Sequence, residues 1–316
     1  MSHTSSAVEP PAADTTIAVV LGASEYPQKP AWSNPVLGAS ARAVRDYLRS
    51  PTGLAMRTAQ LLDLFDAAGG PADQLFQVEA FLKTAGAGAR DLIVYYVGHG
   101  WFDHDDYCLG IRATQRDREF ISTIESRKLA RIIREGFARK RVYVILDSCF
   151  AASAAHDWMG DEIEVAVRKM SQPLPRQGTA FLAAASKFDV TRAPRSERYT
   201  VFTGAVLDTL TGGVDRVQSR LSLYELYVEV RDHLQRRVSD EEARPELHVP
   251  SQREGDVSRI ELFPNAYLQR APWAVESGRD AYGPWTAFEV AGARQRLRWI
   301  PPGRFVMGSP ETELGR

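Results

Sequence analysis

Short apolar runs alternate along the chain with segments whose apolar residues recur at helical spacing. The apolar runs occupy residues 16–21, 59–64, 91–97, 107–111, 141–146 and 179–184, with an edge strand predicted at 257–262. The helical segments occupy residues 38–48, 72–82, 129–137, 199–210 and 221–238. Continuous apolar strands that alternate with amphipathic helices are typical of a mostly parallel sheet covered on both faces. The pattern therefore predicts an α/β fold.

Two of the strongest runs end beside residues that can do chemistry. His99 follows the run at 91–97, and Cys149 follows the run at 141–146. Reactive groups gather beyond the carboxyl ends of parallel strands, so these side chains meet at one rim if the strands are neighbours. A cysteine attacks as a thiolate, and a nearby histidine can accept its proton. The alternative interpretation is a turn histidine and a buried core thiol.

Small residues beside this pair suit an active site. Gly98 and Gly100 flank His99 and permit close backbone approach. The N–H groups of Gly100 and Cys149 are candidate donors to a developing oxyanion. Cys108, the other cysteine, lies in an apolar segment and is expected to be a core thiol.

Asp147 stands two residues before Cys149. A carboxylate this close to the nucleophile would not activate it, because negative charge disfavours the thiolate. It can instead face a substrate pocket and bind a basic side chain. It can equally cap the following turn or helix. Both interpretations stand at this point.

Composition narrows the class of protein. The chain has 316 residues, 44% hydrophobic and 25% charged, with a formal charge of −1, which gives no support to nucleic-acid or polybasic membrane binding. Its two cysteines cannot form the disulfide framework of a small secreted scaffold, so a cytoplasmic location is expected. No Cys/His cluster has zinc spacing and no P-loop is present, so neither metal nor cofactor is expected. The acidic stretch 103–106 is either a solvated loop or a cation site.

The ends of the chain differ from its centre. Residues 1–14 are rich in Ser, Ala, Pro and Glu, and we expect a disordered tail rather than a signal peptide. No run approaches the roughly 18 apolar residues of a membrane-spanning helix. Residues 264–290 are predicted to be a linker, and residues 291–316 to begin a further domain.

Two motifs resemble those of the caspase-like cysteine peptidases, in particular the metacaspase and bacterial branch. They are YYVGHG at residues 95–100 and YVILDSCFAAS at residues 143–153. The segments at 181–186 and 199–210 are similar to the family's later strand and following helix. The resemblance covers residues 15–263. It implies a caspase-like fold, with a mostly parallel central sheet of about six strands and helices on both faces.

The resemblance also implies roles for single residues. His99 would be the base and Cys149 the nucleophile, and Gly100 would supply an oxyanion N–H. Asp147 would line the primary specificity pocket. Metacaspases with this Asp cleave after Arg or Lys, whereas true caspases have Gln there and cleave after Asp.

Some positions depart from the family pattern. Arg42 stands about where metacaspases carry an Asp that helps hold the basic substrate residue, so a preference for an acidic residue is an alternative. Val97 stands where a Ser is often found, and Phe150 where a His often follows the cysteine. Val97 and Ser186, in the matching strands, are assigned to substrate binding.

The remaining segments carry two further resemblances. Residues 151–177 correspond to the family's intersubunit linker, whose cleavage matures many members. Its basic residues Arg168, Lys169 and Arg176 are candidate processing sites, or they belong to an ordinary charged loop. Residues 297–310 resemble the opening of formylglycine-generating-enzyme-like domains, which are far longer. The chain is therefore expected to be a fragment or processed product of such a fusion.

The leading hypothesis is a cysteine endopeptidase that cleaves proteins after a basic residue, a regulated effector in bacterial stress, cell death or antiphage defence. Its expected partners are protein substrates and an upstream protease or regulator acting through the C-terminal domain, with no nucleic acid and no membrane. The acidic stretch 103–106 makes calcium activation worth testing. The alternative hypothesis is a catalytically silent caspase-fold scaffold or binding module.

Overall fold

The computed structural model describes residues 13–104, 106–138, 140–148, 178–186, 198–216, 218–237, 243–249, 255–268, 273–280 and 283–298. The chain divides into two compact units, Met1–Ala266 and Tyr267–Arg316. Among the described helices, none has the length and apolar character needed to cross a membrane.

The first unit is built on a six-stranded sheet. In chain order, the strands of this unit are β1 (Thr16–Gly22), β2 (Leu61–Asp63), β3 (Asp91–Gly98), β4 (Gly100–Asp103), β5 (Asp106–Leu109), β6 (Ile124–Glu125), β7 (Arg141–Ser148), β8 (Thr179–Ser186), β9 (Arg220–Ser222), β10 (Ala243–His248) and β11 (Glu261–Pro264). The central sheet has the order β10-β8-β7-β3-β1-β2, in which β10 runs antiparallel to β8 and the other neighbours are parallel. The predicted α/β fold with a mostly parallel sheet is confirmed.

Helices pack against both faces of this sheet. They are α1 (Pro35–Arg49), α2 (Pro71–Thr84), α4 (Ser126–Gly136), α5 (Val201–Gly212) and α6 (Leu223–Arg237), while α3 (Glu119–Ser122) is a single turn ahead of β6. A side-chain oxygen caps three of them: Asn34 accepts from the Val36 N–H at α1, Thr200 from the Thr203 N–H at α5, and Ser222 from the Glu225 N–H at α6. A proline opens both α1 and α2, where its missing N–H is not needed.

The two central strands are buried on both sides, which explains their continuous apolar character. Tyr95 and Ile145 pack into the layer formed with α1, α5 and α6. Val94 and Leu146 pack into the opposite layer, with α2 and α4. Successive residues of a strand point to opposite faces, so each strand contributes to both layers.

Smaller sheets lie beside the central one. β4 and β5 form an antiparallel hairpin directly after β3, and β6 extends it to three strands. β9 and β11 pair antiparallel. The strand predicted at 257–262 begins later, as β11, because Asp256 accepts from the Ser258 N–H and caps a 3-10 turn at Val257–Arg259.

The second unit contains an antiparallel sheet of β12 (Glu276–Asp280), β13 (Gly283–Val290) and β14 (Ala293–Arg298). β12 and β13 fall within residues 264–290, for which the composition predicted a linker. The two strands pair antiparallel, from Glu276 opposite Ala287 to Asp280 opposite Gly283. Residues 299–316, with most of the sequence that resembles a formylglycine-generating-enzyme-like domain, lie outside the described residues.

Candidate active site

The strands that carry the two motifs are neighbours in the central sheet. β3 and β7 pair in parallel over their full length, from Asp91 opposite Arg141 to Gly98 opposite Ser148. Their carboxyl ends therefore lie side by side at one edge of the sheet. His99 is the residue after β3. Cys149 is the next residue in the chain after Ser148, and it lies outside the described residues.

A main-chain carbonyl fixes the tautomer of His99. The Nε2 atom of this buried imidazole lies 2.8 Å from the carbonyl oxygen of Trp32. A carbonyl oxygen can only accept, so Nε2 carries the hydrogen and donates it. In the neutral ring Nδ1 is then the nitrogen with a lone pair for a proton. The geometry supplies a base of defined orientation at this edge of the sheet.

Aromatic rings surround the same imidazole. The Trp32 indole stacks on it with ring centroids 4.8 Å apart, and the Tyr26 ring meets it edge-on at 5.2 Å. Trp101 packs edge-on against Trp32 at 5.2 Å. The ammonium of Lys29 lies 3.3 Å from the centroid of the Trp32 ring. These contacts hold the imidazole between Tyr26 and Trp32 and limit its rotation.

Hydrogen bonds with two tyrosines hold the main chain at His99. The hydroxyl of Tyr96 lies 2.5 Å from the His99 carbonyl oxygen, and the His99 N–H donates to the hydroxyl of Tyr26 at 3.3 Å. Burial raises the pKa of both phenols above its ordinary value, so they keep their protons and Tyr96 can donate. The Gly110 N–H donates to the same His99 carbonyl at 2.8 Å. Both the N–H and the carbonyl of His99 are thus held by hydrogen bonds.

In the β4–β5 hairpin, the N–H of Gly100 does not bond to the neighbouring strand. Gly100 pairs with Leu109, next to the bond from Gly110 to His99. In an antiparallel ladder, this pattern makes Gly100 and Leu109 a pair without mutual hydrogen bonds. The N–H of Gly100 is therefore directed away from β5, as an oxyanion donor requires.

Asp147 is almost fully buried, at 5% exposure, opposite Val97 in the β3–β7 register. Its Oδ2 atom accepts hydrogen bonds from the hydroxyls of Thr200 and Thr203, each at 2.5 Å. Burial raises the pKa of this carboxyl, and the two threonine hydroxyls lower it by a smaller amount. The carboxylate thus contacts the N-cap residue and the first turn of α5.

A chain of hydroxyls extends from Asp147 to the neighbouring elements. The Thr203 hydroxyl lies 2.6 Å from the hydroxyl of Tyr95, and the Thr200 N–H donates to the hydroxyl of Ser40 at 3.0 Å. The sequence alone did not single out any of these partners. Their contacts join residues more than 50 positions apart, and no local spacing signals such contacts.

The other sequence-predicted residues have different surroundings. Val97 is fully buried in the layer with α1 and α5. Ser186 ends β8, opposite Ala243 of β10, and its side chain is outside the description. Arg42 on α1 is exposed. The candidate processing sites Arg168, Lys169 and Arg176 lie outside the described residues.

The second cysteine and the acidic turn both lie in the β4–β5 hairpin. Cys108 is buried in β5, as expected for a core thiol, and burial raises the pKa of that thiol. Asp103 and Asp106 face each other at the β4–β5 turn, and Asp106 pairs with Arg127 at 2.7 Å. Within the ranges that the structure describes, no three His, Cys, Asp or Glu side chains are grouped to hold a metal ion.

Comparisons with known proteins agree with this architecture. A peptidase family model described as the caspase domain matches residues 15–254. Among solved structures, the chain is similar to the crystal structure of caspase-1 from Spodoptera frugiperda. The TM-score is 0.50 with 8% identity, and the match covers 80% of this chain and 93% of that chain. No curated protein matches the chain.

Proposed function

The chain belongs to the caspase domain family of cysteine peptidases, and we propose that it is an endopeptidase that cleaves proteins after Arg or Lys. One observation carries the proposal: β3 and β7 are parallel neighbours in register from Asp91–Arg141 to Gly98–Ser148. The residues that follow these strands are His99 and Cys149. Such a pair at one edge of a sheet suits nucleophilic catalysis by a thiolate.

In the proposed reaction, Nδ1 of His99 takes the proton of the Cys149 thiol. The thiolate forms a bond to the scissile carbonyl carbon, and the carbonyl oxygen becomes an oxyanion. The N–H groups of Gly100 and Cys149 donate to that oxyanion. The imidazolium then gives its proton to the leaving amine as the C–N bond breaks, which leaves an acyl-enzyme.

Water completes the cycle by the same route in reverse. His99 takes a proton from the attacking water, whose oxygen bonds to the acyl carbon. The C–S bond breaks, the carboxylic acid leaves, and the sulfur recovers a proton from the imidazolium. The hydrogen bond from Nε2 to the Trp32 carbonyl supports both steps, because it keeps Nδ1 as the working nitrogen and remains possible when the ring is charged. The reaction as proposed uses no cofactor.

The preference for a basic residue rests on Asp147. Its carboxylate is buried, and Coulomb attraction to a guanidinium or ammonium strengthens as the local dielectric falls. Thr200 and Thr203 hold its Oδ2 atom in place, which orients the group before substrate binds. Arg42, whose position raised the alternative of an acidic preference, is exposed on α1.

Covalent labelling tests this proposal. A peptide that carries arginine and an acyloxymethyl ketone should label Cys149 stoichiometrically, as read by intact mass and peptide mapping. The Cys149→Ala variant should stay unlabelled. Cys108→Ala is the matched control, since Cys108 is the other cysteine of the chain and is buried. Absence of label, or label on Cys108 alone, would reject the proposed nucleophile. Equal labelling by an aspartyl analogue would reject the basic preference.

A further inference from the structure

One phenol of the β4–β5 hairpin contacts Gly100 and the side chain of Ser148, the residue that precedes Cys149. The hydroxyl of Tyr107 lies 2.8 Å from the hydroxyl of Ser148, the last residue of β7. The same hydroxyl packs on Gly100, where a β-carbon would lie only 2.0 Å from it. Tyr107 and Ser148 are almost fully buried, at 1% and 2% exposure.

These contacts leave little freedom in the choice of residues. An alanine at Gly100 would overlap both the oxygen of Tyr107 and the ring carbon that carries it, at 2.5 Å, so glycine is required for this approach. Removal of the Tyr107 hydroxyl would break the hydrogen bond between Tyr107 and Ser148. Such a buried pair of hydroxyls therefore fixes the separation between β4 and the end of β7.

We infer that Tyr107 is a positioning residue that sets the spacing of the two oxyanion donors. This inference rests on the proposed function. Tyr107 touches Gly100 directly, and it reaches the N–H of Cys149 through Ser148, whose carbonyl belongs to the same peptide group as that N–H. It takes no part in the chemistry itself. The hydroxyl acts as a spacer of defined length between two main-chain segments.

The inference predicts a selective loss in Tyr107→Phe. Oxyanion donors act mainly in the transition state, so kcat should fall while KM changes little. A loss of about 10- to 100-fold is expected, since displacements of up to about 1 Å at a catalytic group cost rates of this order. Ser148→Ala removes the other half of the bridge and should give a similar loss. The double variant should be no worse than the more severe single variant, because both changes remove one interaction.

Two thiol reagents distinguish this role from a merely structural one. A peptidyl aldehyde with arginine adds to the thiolate and creates an oxygen at the oxyanion position, so its affinity for Tyr107→Phe should fall in parallel with kcat. Iodoacetamide alkylates the thiolate without creating an oxyanion, so its rate at Cys149 should equal that of the wild type. Tyr143→Phe is the matched control, because it makes the same change in a buried tyrosine of β7 away from Ser148. It should keep the wild-type kcat and aldehyde affinity.

The outcomes separate this inference from the proposed function. A wild-type protein that neither cleaves peptides nor binds the aldehyde would reject both. An active wild type with an equally active Tyr107→Phe would reject the positioning role alone. An equal loss in alkylation and in aldehyde affinity would also overturn it, because the defect would then lie in the thiolate and not in the donors. Loss of aldehyde affinity with unchanged alkylation would support it.

Discussion

The carbonyl oxygen of Trp32 accepts a hydrogen bond of 2.8 Å from Nε2 of His99, while the indole of the same residue stacks on the imidazole. One residue thus orients the ring through its main chain and covers the ring with its side chain. The bond determines which nitrogen carries the hydrogen, and the stacking limits rotation of the ring. The ring of the proposed base is therefore oriented before substrate binds.

The stacking predicts a graded response at Trp32. Trp32→Ala keeps the carbonyl but removes the ring, so kcat/KM should fall about 3- to 10-fold, in line with about 0.5–1.5 kcal/mol for an aromatic pair. Trp32→Phe should recover most of the activity, because a ring of related shape remains. Steady-state peptide hydrolysis measures both variants. Equal activity of Trp32→Ala and the wild type would show that the stacking does not hold His99.

Asp147 predicts a pH-dependent gain of stability in Asp147→Asn. Burial raises the pKa of this carboxyl in the folded protein, so ionisation opposes folding at every pH above its unfolded value. An amide avoids this cost and can still accept from Thr200 and Thr203 through its oxygen. The variant should melt at a higher temperature than the wild type near neutral pH. The gain should shrink as pH falls and vanish once the wild-type carboxyl is protonated in both states. Thermal melts that show a loss of stability at neutral pH would contradict this reasoning.

The same carboxyl predicts a pH dependence of substrate preference. Protonation removes its attraction for a guanidinium, and the raised pKa brings that protonation to a higher pH than for an ordinary aspartate. The ratio of kcat/KM for an arginine peptide to that for the matching glutamine peptide should therefore fall as the solution is acidified. The ratio cancels the titration of His99 and Cys149, which both peptides share. In Asp147→Asn the ratio should be low and flat. A ratio independent of pH in the wild type would show that Asp147 does not bind the basic side chain of the substrate.

A buried ion pair at the opposite edge of the sheet predicts a stability effect without a role in the site. Arg141 binds Asp91 through Nε and a terminal nitrogen, both at 2.6 Å, and the Asp91 side chain is fully buried. Arg141→Met removes the bidentate partner of that buried carboxylate, which should cost about 3–5 kcal/mol of unfolding free energy. Arg141→Met combined with Asp91→Asn should recover part of the loss. Urea unfolding measures these changes, with Arg131→Met as control because its pair with Glu135 is exposed. A loss in the control as large as that in Arg141→Met would contradict the assignment.

Features that depend on a local pattern of residues could be predicted from the sequence. The apolar runs at 91–97 and 141–146 are β3 and β7, and both are buried on two faces. His99 is a candidate in the sequence because only Gly98 separates it from such a run. The parallel pairing of the two strands brings the carboxyl end of β3, which His99 follows, beside the carboxyl end of β7.

Partners contributed by distant segments were not predictable in this way. Trp32, Thr200 and Tyr107 reach the site from a 3-10 turn, a helix cap and a hairpin, and their roles depend on contacts across 41 to 67 residues of sequence. A single sequence records the type of such residues but not which of them meet. Within residues 264–290, for which a linker was predicted, β12 and β13 pair with each other, and their pairing is likewise not recorded in the local composition.

Cys149 and His99 are proposed to cleave proteins after a basic residue. The most direct measurement compares peptides with Arg, Lys or Asp before the scissile bond, with and without calcium. It uses the wild type, Cys149→Ala, His99→Ala and the control Cys108→Ala. Cleavage after Arg and Lys is expected for the wild type and for Cys108→Ala, and loss of that cleavage for the other two variants. Cleavage that survives in Cys149→Ala, or cleavage only after Asp, would contradict it.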